Sequence, residues 1–176
     1  IAENHSPGII YHNIGVNGAE YRHYNCNPDF FKQLKVLHPE LLIISMGTNE
    51  AQDWKRSNDE LALQITTFLD SLSFYHPDVP ILLTTPMESW RRGRQLNRDV
   101  KRVRDVILQI ADNRGLACWD LYQVAGGYGS SFRWRKYLLF SRDMVHHTPA
   151  GYRLQADLLY EALMDGYKKY LDTISK

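Results

Sequence analysis

Cysteine is scarce in this 176-residue chain: Cys26 and Cys118 stand far apart and form no Cys-x-x-Cys pair. Two unpatterned thiols describe neither a zinc site nor a disulfide framework, and they leave the redox compartment open. Long apolar runs are missing too, with none approaching the length that crosses a bilayer. The opening stretch IAENHSPG lacks the charged-then-apolar pattern of a signal peptide. Charge of one sign is also lacking, since 21 Lys and Arg against 20 Asp and Glu leave a formal net charge of +1. The whole molecule therefore has no general attraction for nucleic acid or for an anionic membrane. No repeat, low-complexity tract or linker interrupts the chain. At 44% hydrophobic and 23% charged residues, the composition is that of a folded domain rather than a disordered segment. The length suits one domain, residues 1–176, with a single substantial core.

What is present is an alternation of short apolar runs with longer amphipathic ones. GIIYHNIGV (8–16) reads as a strand, and Asn27-Pro28 opens a helix whose Phe30, Phe31, Leu34 and Leu37 follow the helical period. LLIISMG (41–47) is a continuous apolar run ending in glycine, the pattern of a strand buried on both faces. Ser57 and Glu60 have capping-box spacing, followed by Leu61, Ile65, Phe68, Leu69 and Leu72 on one face. ILLTT (81–85) is the next strand. Asn97 opens a helix with Val100, Val103, Ile107 and Ile110 inward, and Gly115 closes it. LACWDLY (116–122) is a fourth strand, and Thr148-Pro149 begins a long terminal helix carrying Leu154, Leu158, Leu159 and Leu163. Strand alternating with helix implies parallel pairing through right-handed crossovers, hence a three-layer α/β/α sandwich. Ligands in such folds sit beyond the carboxyl ends of the strands.

Three loops at those ends carry unusual sequence: GVNGAE (15–20), GTNEA (47–51) and DMVHHT (143–148). Singly, each has an ordinary explanation as a turn or a helix cap. Together they suggest chemistry. A backbone N–H at Gly18 and the side-chain amide of Asn49 could converge on one oxyanion, and Asp143 could hold His146 in the tautomer that leaves Nε2 free to take a proton. The set has a base, its orienting carboxylate and two donors, but no nucleophile. Ser6 precedes a proline and Ser45 lies within a strand. Ser130 and Ser131 fall in a glycine-rich stretch, where a turn or substrate-contact role is the natural reading.

In order and spacing, Gly18, Gly47-Thr48-Asn49 and Asp143-x-x-His146 resemble the blocks of the SGNH (GDSL-type) serine hydrolases. WDLYQVAGGYGSSFRW (119–134) and GYRLQADLLYEAL (151–163) look like the branch that includes peptidoglycan O-acetylesterases. The resemblance implies that Gly18 and Asn49 are oxyanion donors and that Asp143 and His146 are triad members. It further implies hydrolysis of O-acyl esters, O-acetyl above all, on a carbohydrate, with no cofactor and with export to the periplasm or beyond. Two departures stand out. Glu50 occupies a position where aspartate is commoner, and the strand bearing Gly-Asp-Ser is absent from these residues. Members of the branch often carry a β domain inserted after that block, so the serine is expected upstream of residue 1, in a missing N-terminal segment of the same protein. The implied sheet is flavodoxin-like, order 2-1-3-4-5, with the absent strand between 8–16 and 41–47.

RRGRQLNRDVKRVR (91–104) is half basic, which reads first as a solvated helix face with its loop, although Arg91, Arg92 and Arg94 follow a strand end and could reach the site. Trp90, Tyr128 and Trp134 are placed in loops, where one could stack on a sugar ring. His146 and His147 with His12 or His23 lack the spacing of a metal site. The alternative reading is a non-catalytic glycan-binding module that keeps the fold. A nucleotide-binding domain is disfavoured, since GVNGAE has neither the glycine spacing nor the lysine of a phosphate loop.

Overall fold

The computed structural model describes residues 8–175. Along the chain, α1 (Tyr21–Asn25) and α2 (Pro28–Gln33) lead through a 3-10 turn, Leu34–Leu37, into β1 (Leu42–Ser45). Helix α3 (Asn58–Tyr75) precedes β2 (Ile81–Thr84), after which β3 (Trp90–Arg91) and β4 (Gln95–Leu96) make a small antiparallel hairpin. Then come α4 (Asp99–Arg114), β5 (Ala117–Trp119), the short α5 (Leu121–Val124) and α6 (Ser130–Lys136), and the long α7 (Pro149–Ile174). β1, β2 and β5 form a parallel sheet in the order β1-β2-β5, as the βα alternation requires.

One face of the sheet rests on the main core. Ile81 and Leu83 are buried there, with Leu42, Ile44 and Cys118 packed against the same cluster. The inward stripes of α3 (Leu61, Ile65, Phe68, Leu69, Leu72) and α4 (Val100, Val103, Ile107, Ile110) complete it, as their spacing predicts. The cap of α3 forms as expected: Ser57 Oγ accepts the Glu60 N–H at 3.1 Å while the Glu60 carboxylate accepts the Ser57 N–H at 2.9 Å. α1 and α2 are held to α3 by aromatic edges, Tyr21 and Phe31 each meeting Phe68 at 5.2 and 5.4 Å between ring centroids. A second cluster of Met87, Leu121, Ala125, Trp134, Phe140 and Met144 is drawn from the segments that follow β2 and β5, with Leu154 and Leu158 of α7 packed against it. This cluster underlies the loop of Asp143 and His146.

Several expectations need correction. Residues 8–16 form no strand and pair with nothing in the sheet; Ile9, Tyr11 and Val16 are 96%, 78% and 63% exposed. A strand persists only where a neighbour takes its backbone hydrogen bonds, and no strand of the described residues lies beside this segment. β1 itself is not buried on both faces. Leu42 and Ile44 are half-buried, while Ile43 and Ser45 are exposed, because β1 is an edge paired only with β2 among the described residues. The opposite face of the sheet is thinly covered: Ile43, Leu82 and Ala117 lie side by side in register, and only Leu82 is buried. On α7, Leu154, Leu158 and Leu159 are half-buried but Leu163 is exposed, as are Tyr160, Tyr167 and Ile174. Asn97 does not begin α4 as a helical residue; its Oδ1 accepts the Asp99 N–H at 3.2 Å just ahead of the helix.

Candidate active site

The first loop turns at Gly18. Val16 carbonyl accepts the Ala19 N–H at 3.1 Å, and Gly18 takes φ 74°, a conformation costly for a residue with Cβ. The second loop needs glycine for space as well. Gly47 has φ 114°, and a Cβ there would lie 3.0 Å from Pro86 Cδ.

Glu50 joins these two loops. Its Oε1 accepts the Tyr21 N–H and its Oε2 the Gly47 N–H, each at 2.9 Å. Asn49 adds a third link, its Nδ2 donating to the Ala19 carbonyl at 2.8 Å. Gly18 and Asn49 are thus brought together through the residue next to Gly18. That bond uses one of the two Asn49 amide hydrogens. The Gly18 N–H has no acceptor among the described residues. Glu50 is 1% exposed, and burial raises its carboxyl above the ordinary range, with the backbone N–H groups pulling the other way.

Asp143 and His146 form a closed unit. Asp143 Oδ1 accepts the N–H groups of Val145 and His146, both at 2.9 Å, and Oδ2 lies 2.7 Å from His146 Nδ1. Partial burial acts to raise the Asp143 carboxyl, but the His146 ring and the two N–H donors outweigh it and hold the group below the usual carboxylate range. An ionised Asp143 can only accept, so Nδ1 carries the ring proton and the Nε2 lone pair is left free. Nε2 has no partner among the described residues, and His146 is 61% exposed in its side chain.

The β3–β4 hairpin, not foreseen from sequence, connects this unit to the loops of Gly18 and Gly47. Trp90 N–H donates to the Met144 carbonyl at 2.9 Å, and Gln52 Nε2 donates to the Trp90 carbonyl at 3.3 Å. Asn97 Nδ2 donates to the Ala51 carbonyl at 2.8 Å. A continuous path therefore runs from Ala19 through Asn49 and Gln52 to Trp90 and Met144, between Asp143 and His146. All four residues singled out from sequence stand on that path or next to it.

Two corrections concern the serines and aromatics. Ser130 and Ser131 are in the first turn of α6, not in an open loop, and both are fully buried. Ser131 Oγ donates to Glu88 at 2.7 Å and accepts from Trp90 Nε1 at 3.2 Å. Glu88, itself 2% exposed, also accepts the N–H groups of Gly129 and Ser131 at 2.9 Å each. Both serines are framework, and Ser6 lies outside the described residues. Trp90 belongs to β3, and Trp134 is a core residue of α6 donating to the Ala125 carbonyl at 3.1 Å. His147 is framework too. It sits between Phe140, Trp134 and Tyr152, and burial pushes its pKa down to about 4.

The basic run is largely neutralised locally. Arg91 pairs with Asp99, Arg102 with Asp99 at 3.0 Å, and Arg104 with Asp120 through Nε at 2.9 Å. Arg92 and Arg94 are exposed at the hairpin tip, on an open groove of about 810 Å3 that Asn49 also lines. Among the described residues, no three His, Cys, Asp or Glu side chains gather as a metal site, and no helix is long and apolar enough to cross a membrane.

Residues 2–154 match the model of the GDSL-like lipase/acylhydrolase family. The chain belongs to this family. A solved peptidoglycan O-acetylesterase superposes with a TM-score of 0.81 at 22% identity, covering 87% of this chain and 45% of that one. The chain thus spans less than half the length of that structure. A lipase/acylhydrolase from Enterococcus faecalis (TM-score 0.63, 17% identity, 83% of this chain and 71% of that one) has the same fold. So does a GDSL-like lipase from Bacteroides thetaiotaomicron (0.63, 17%, 85% and 73%). No protein of curated function matches the chain. The parallel α/β sandwich expected from sequence is the fold of these GDSL-type structures.

Glu50, Glu88 and the hairpin were not legible as site residues. Glu50 carried a local cue, since a carboxylate three residues after Gly47 can return to that N–H as in a capping box. Glu88 carried none, because its partners are about forty residues away.

Proposed function

We propose that this chain is part of a serine esterase that removes O-acetyl groups from a carbohydrate. His146 is its general base, Asp143 orients that base, and Gly18 and Asn49 donate to the oxyanion. The observation that carries the reading is the Asp143–His146 pair at 2.7 Å, with Asp143 fixed by two N–H groups and His146 Nε2 facing outward without a partner among the described residues. The nucleophilic serine belongs to a Gly-Asp-Ser strand N-terminal to residue 1. The unpaired edge of β1 supports this, since an apolar strand edge open to water is a surface that natural folds cover.

In the reaction, the serine Oγ forms a bond to the ester carbonyl carbon as its proton passes to His146 Nε2. The carbonyl π pair moves to oxygen, where the Gly18 N–H and the free Asn49 amide hydrogen receive it. Collapse breaks the bond to the sugar oxygen, which takes the proton back from His146. Water, deprotonated by the same Nε2, then attacks the acetyl-enzyme, and acetate and free serine are released. Asp143 stays ionised throughout, consistent with a carboxyl held below the usual range.

The test is the intact mass of the gene-length protein before and after a fluorophosphonate probe. Stoichiometric labelling on a peptide upstream of residue 1, abolished by His146→Ala, is the expected result. A folded gene-length protein that takes no label overturns the reading and favours a glycan-binding module without catalysis.

A further inference from the structure

We infer that the groove beside Asn49 takes the anionic part of a glycan, with Arg92 and Arg94 as its charge-recognising residues. The preferred substrate is then a carboxylate-bearing polysaccharide carrying O-acetyl esters. The substrate half of this inference rests on the esterase reading above; the binding half does not.

The groove, about 810 Å3, is lined by more cations than carboxylates. Of the five cations, two are paired with carboxylates and a third lies over an aromatic ring. Arg22 pairs with Glu20 at 3.0 Å, Arg91 with Asp99, and the Lys55 ammonium sits over the Trp54 ring at 5.6 Å. Arg92 and Arg94 have no carboxylate partner among the described residues, so their charge is available to a ligand.

Their position is set by the framework of the site. Gly93, between them, is pressed against the loop of the candidate base: a Cβ there would lie 3.2 Å from the Asp143 carbonyl oxygen. At its other end the hairpin is tied to Ala51, two residues after Asn49, through Asn97. Arg92 and Arg94 therefore line the same groove as Asn49, on a hairpin whose turn is packed against the Asp143 loop. The turn itself points the same way. Arg92 and Gly93 both take positive φ, 51° and 64°, where asparagine or aspartate before glycine is the low-strain choice. An arginine held in that conformation argues for a use of its side chain.

The rest of the lining suits a sugar: the side-chain amides of Gln52 and Gln95 can donate to and accept from hydroxyl groups. Trp54, 62% exposed on the groove, offers an apolar ring face.

The test uses the gene-length protein and two readouts. One is retention by de-esterified polygalacturonate in affinity gel electrophoresis; the other is acetate release from O-acetylated polygalacturonate relative to O-acetylated glucomannan, a neutral glycan. The expected result is retention that salt abolishes, with both retention and the acidic-to-neutral kcat/KM ratio falling about tenfold or more in R92E/R94E. Arg92→Asn with Arg94→Gln, which removes charge while easing the turn, should reproduce the loss if the double reversal folds poorly. Esterase activity without retention and without preference for the acidic glycan overturns the groove assignment and leaves the esterase reading standing. Retention lost in the variants, but with no hydrolysis of any ester, upholds the groove and sinks the esterase reading. Tighter retention by an oligonucleotide than by polygalacturonate overturns the choice of a glycan.

Discussion

Asp143→Asn separates the two jobs of one carboxylate. Oδ1 accepts the Val145 and His146 N–H groups, and an amide oxygen can keep both bonds. Those donors therefore fix the amide oxygen on their side and turn its NH2 toward His146 Nδ1, where Oδ2 stood at 2.7 Å. A donor facing Nδ1 forces that nitrogen to accept, which moves the ring proton to Nε2 and blocks proton uptake from a serine. The wrong tautomer at such a base lowers turnover by about 10⁴, equivalent to about 5–6 kcal/mol of barrier. Stability should scarcely respond. The two side chains are 50% and 61% exposed, and an exposed ion pair contributes about 0–1 kcal/mol. The assay is kcat/KM of the gene-length protein on a small acetyl ester, beside a urea denaturation curve. A variant within tenfold of the parent refutes the role given to Asp143. So does an activity loss matched by the fraction unfolded.

Two further outcomes concern the framework. Glu88→Ala leaves three donors, the part-buried Gly129 N–H and the buried Ser131 N–H and Ser131 Oγ–H, without their acceptor. At about 1–3 kcal/mol each, partly relieved by entering water, the urea-derived stability should fall by about 3–5 kcal/mol, and a loss under about 1 kcal/mol contradicts this. His147 has its pKa pushed from 6.5 down to about 4 by burial. The unfolded chain therefore binds the proton first, so this contribution is complete above pH 6.5 and is lost as pH falls toward 4, on the order of 3 kcal/mol in all. Denaturation midpoints across that window should fall steeply in the parent and less in His147→Phe; parallel profiles would remove His147 from the account.

Periodicity read α3 and α4 correctly because each has one buried stripe and a clear terminal signal, Ser57 for one and Gly115 for the other. The same logic failed at 8–16, where strand-like composition is present but the pairing partner is not. It failed again at β1, where an apolar run was taken for burial on both faces although an edge strand of this sheet is half open. Composition reports what a segment can form, and neighbours decide whether it forms. At the site, Asp143 and His146 were legible because their geometry is local, three residues apart. The β3–β4 hairpin was not, because two-residue strands show no alternation, and its partners at Gln52 and Met144 lie 38 and 54 positions away.

The path that links the site has a consequence for how the nucleophile can be supplied. Between Ala19 and Met144 it uses the backbone groups of Ala19, Trp90 and Met144 and only the side chains of Asn49 and Gln52. Glu50 and Glu88 brace the two ends from within the core, where their positions do not depend on solvent or ligand. The proposed base and oxyanion donors are therefore spaced by this chain's own packing. The proposed serine strand has only to dock on the edge of β1, in the register that the exposed Ile43 and half-buried Ile44 allow, to complete the site. A docking strand sets one coordinate, the height of its serine along β1, and a slip of one residue would turn the hydroxyl to the opposite face of the sheet. The loop at Gly47 follows β1 directly, and Asn49 and Glu50 tie the turn at Gly18 to it, which leaves register, rather than assembly of the remaining site, as the step on which the proposed activity depends.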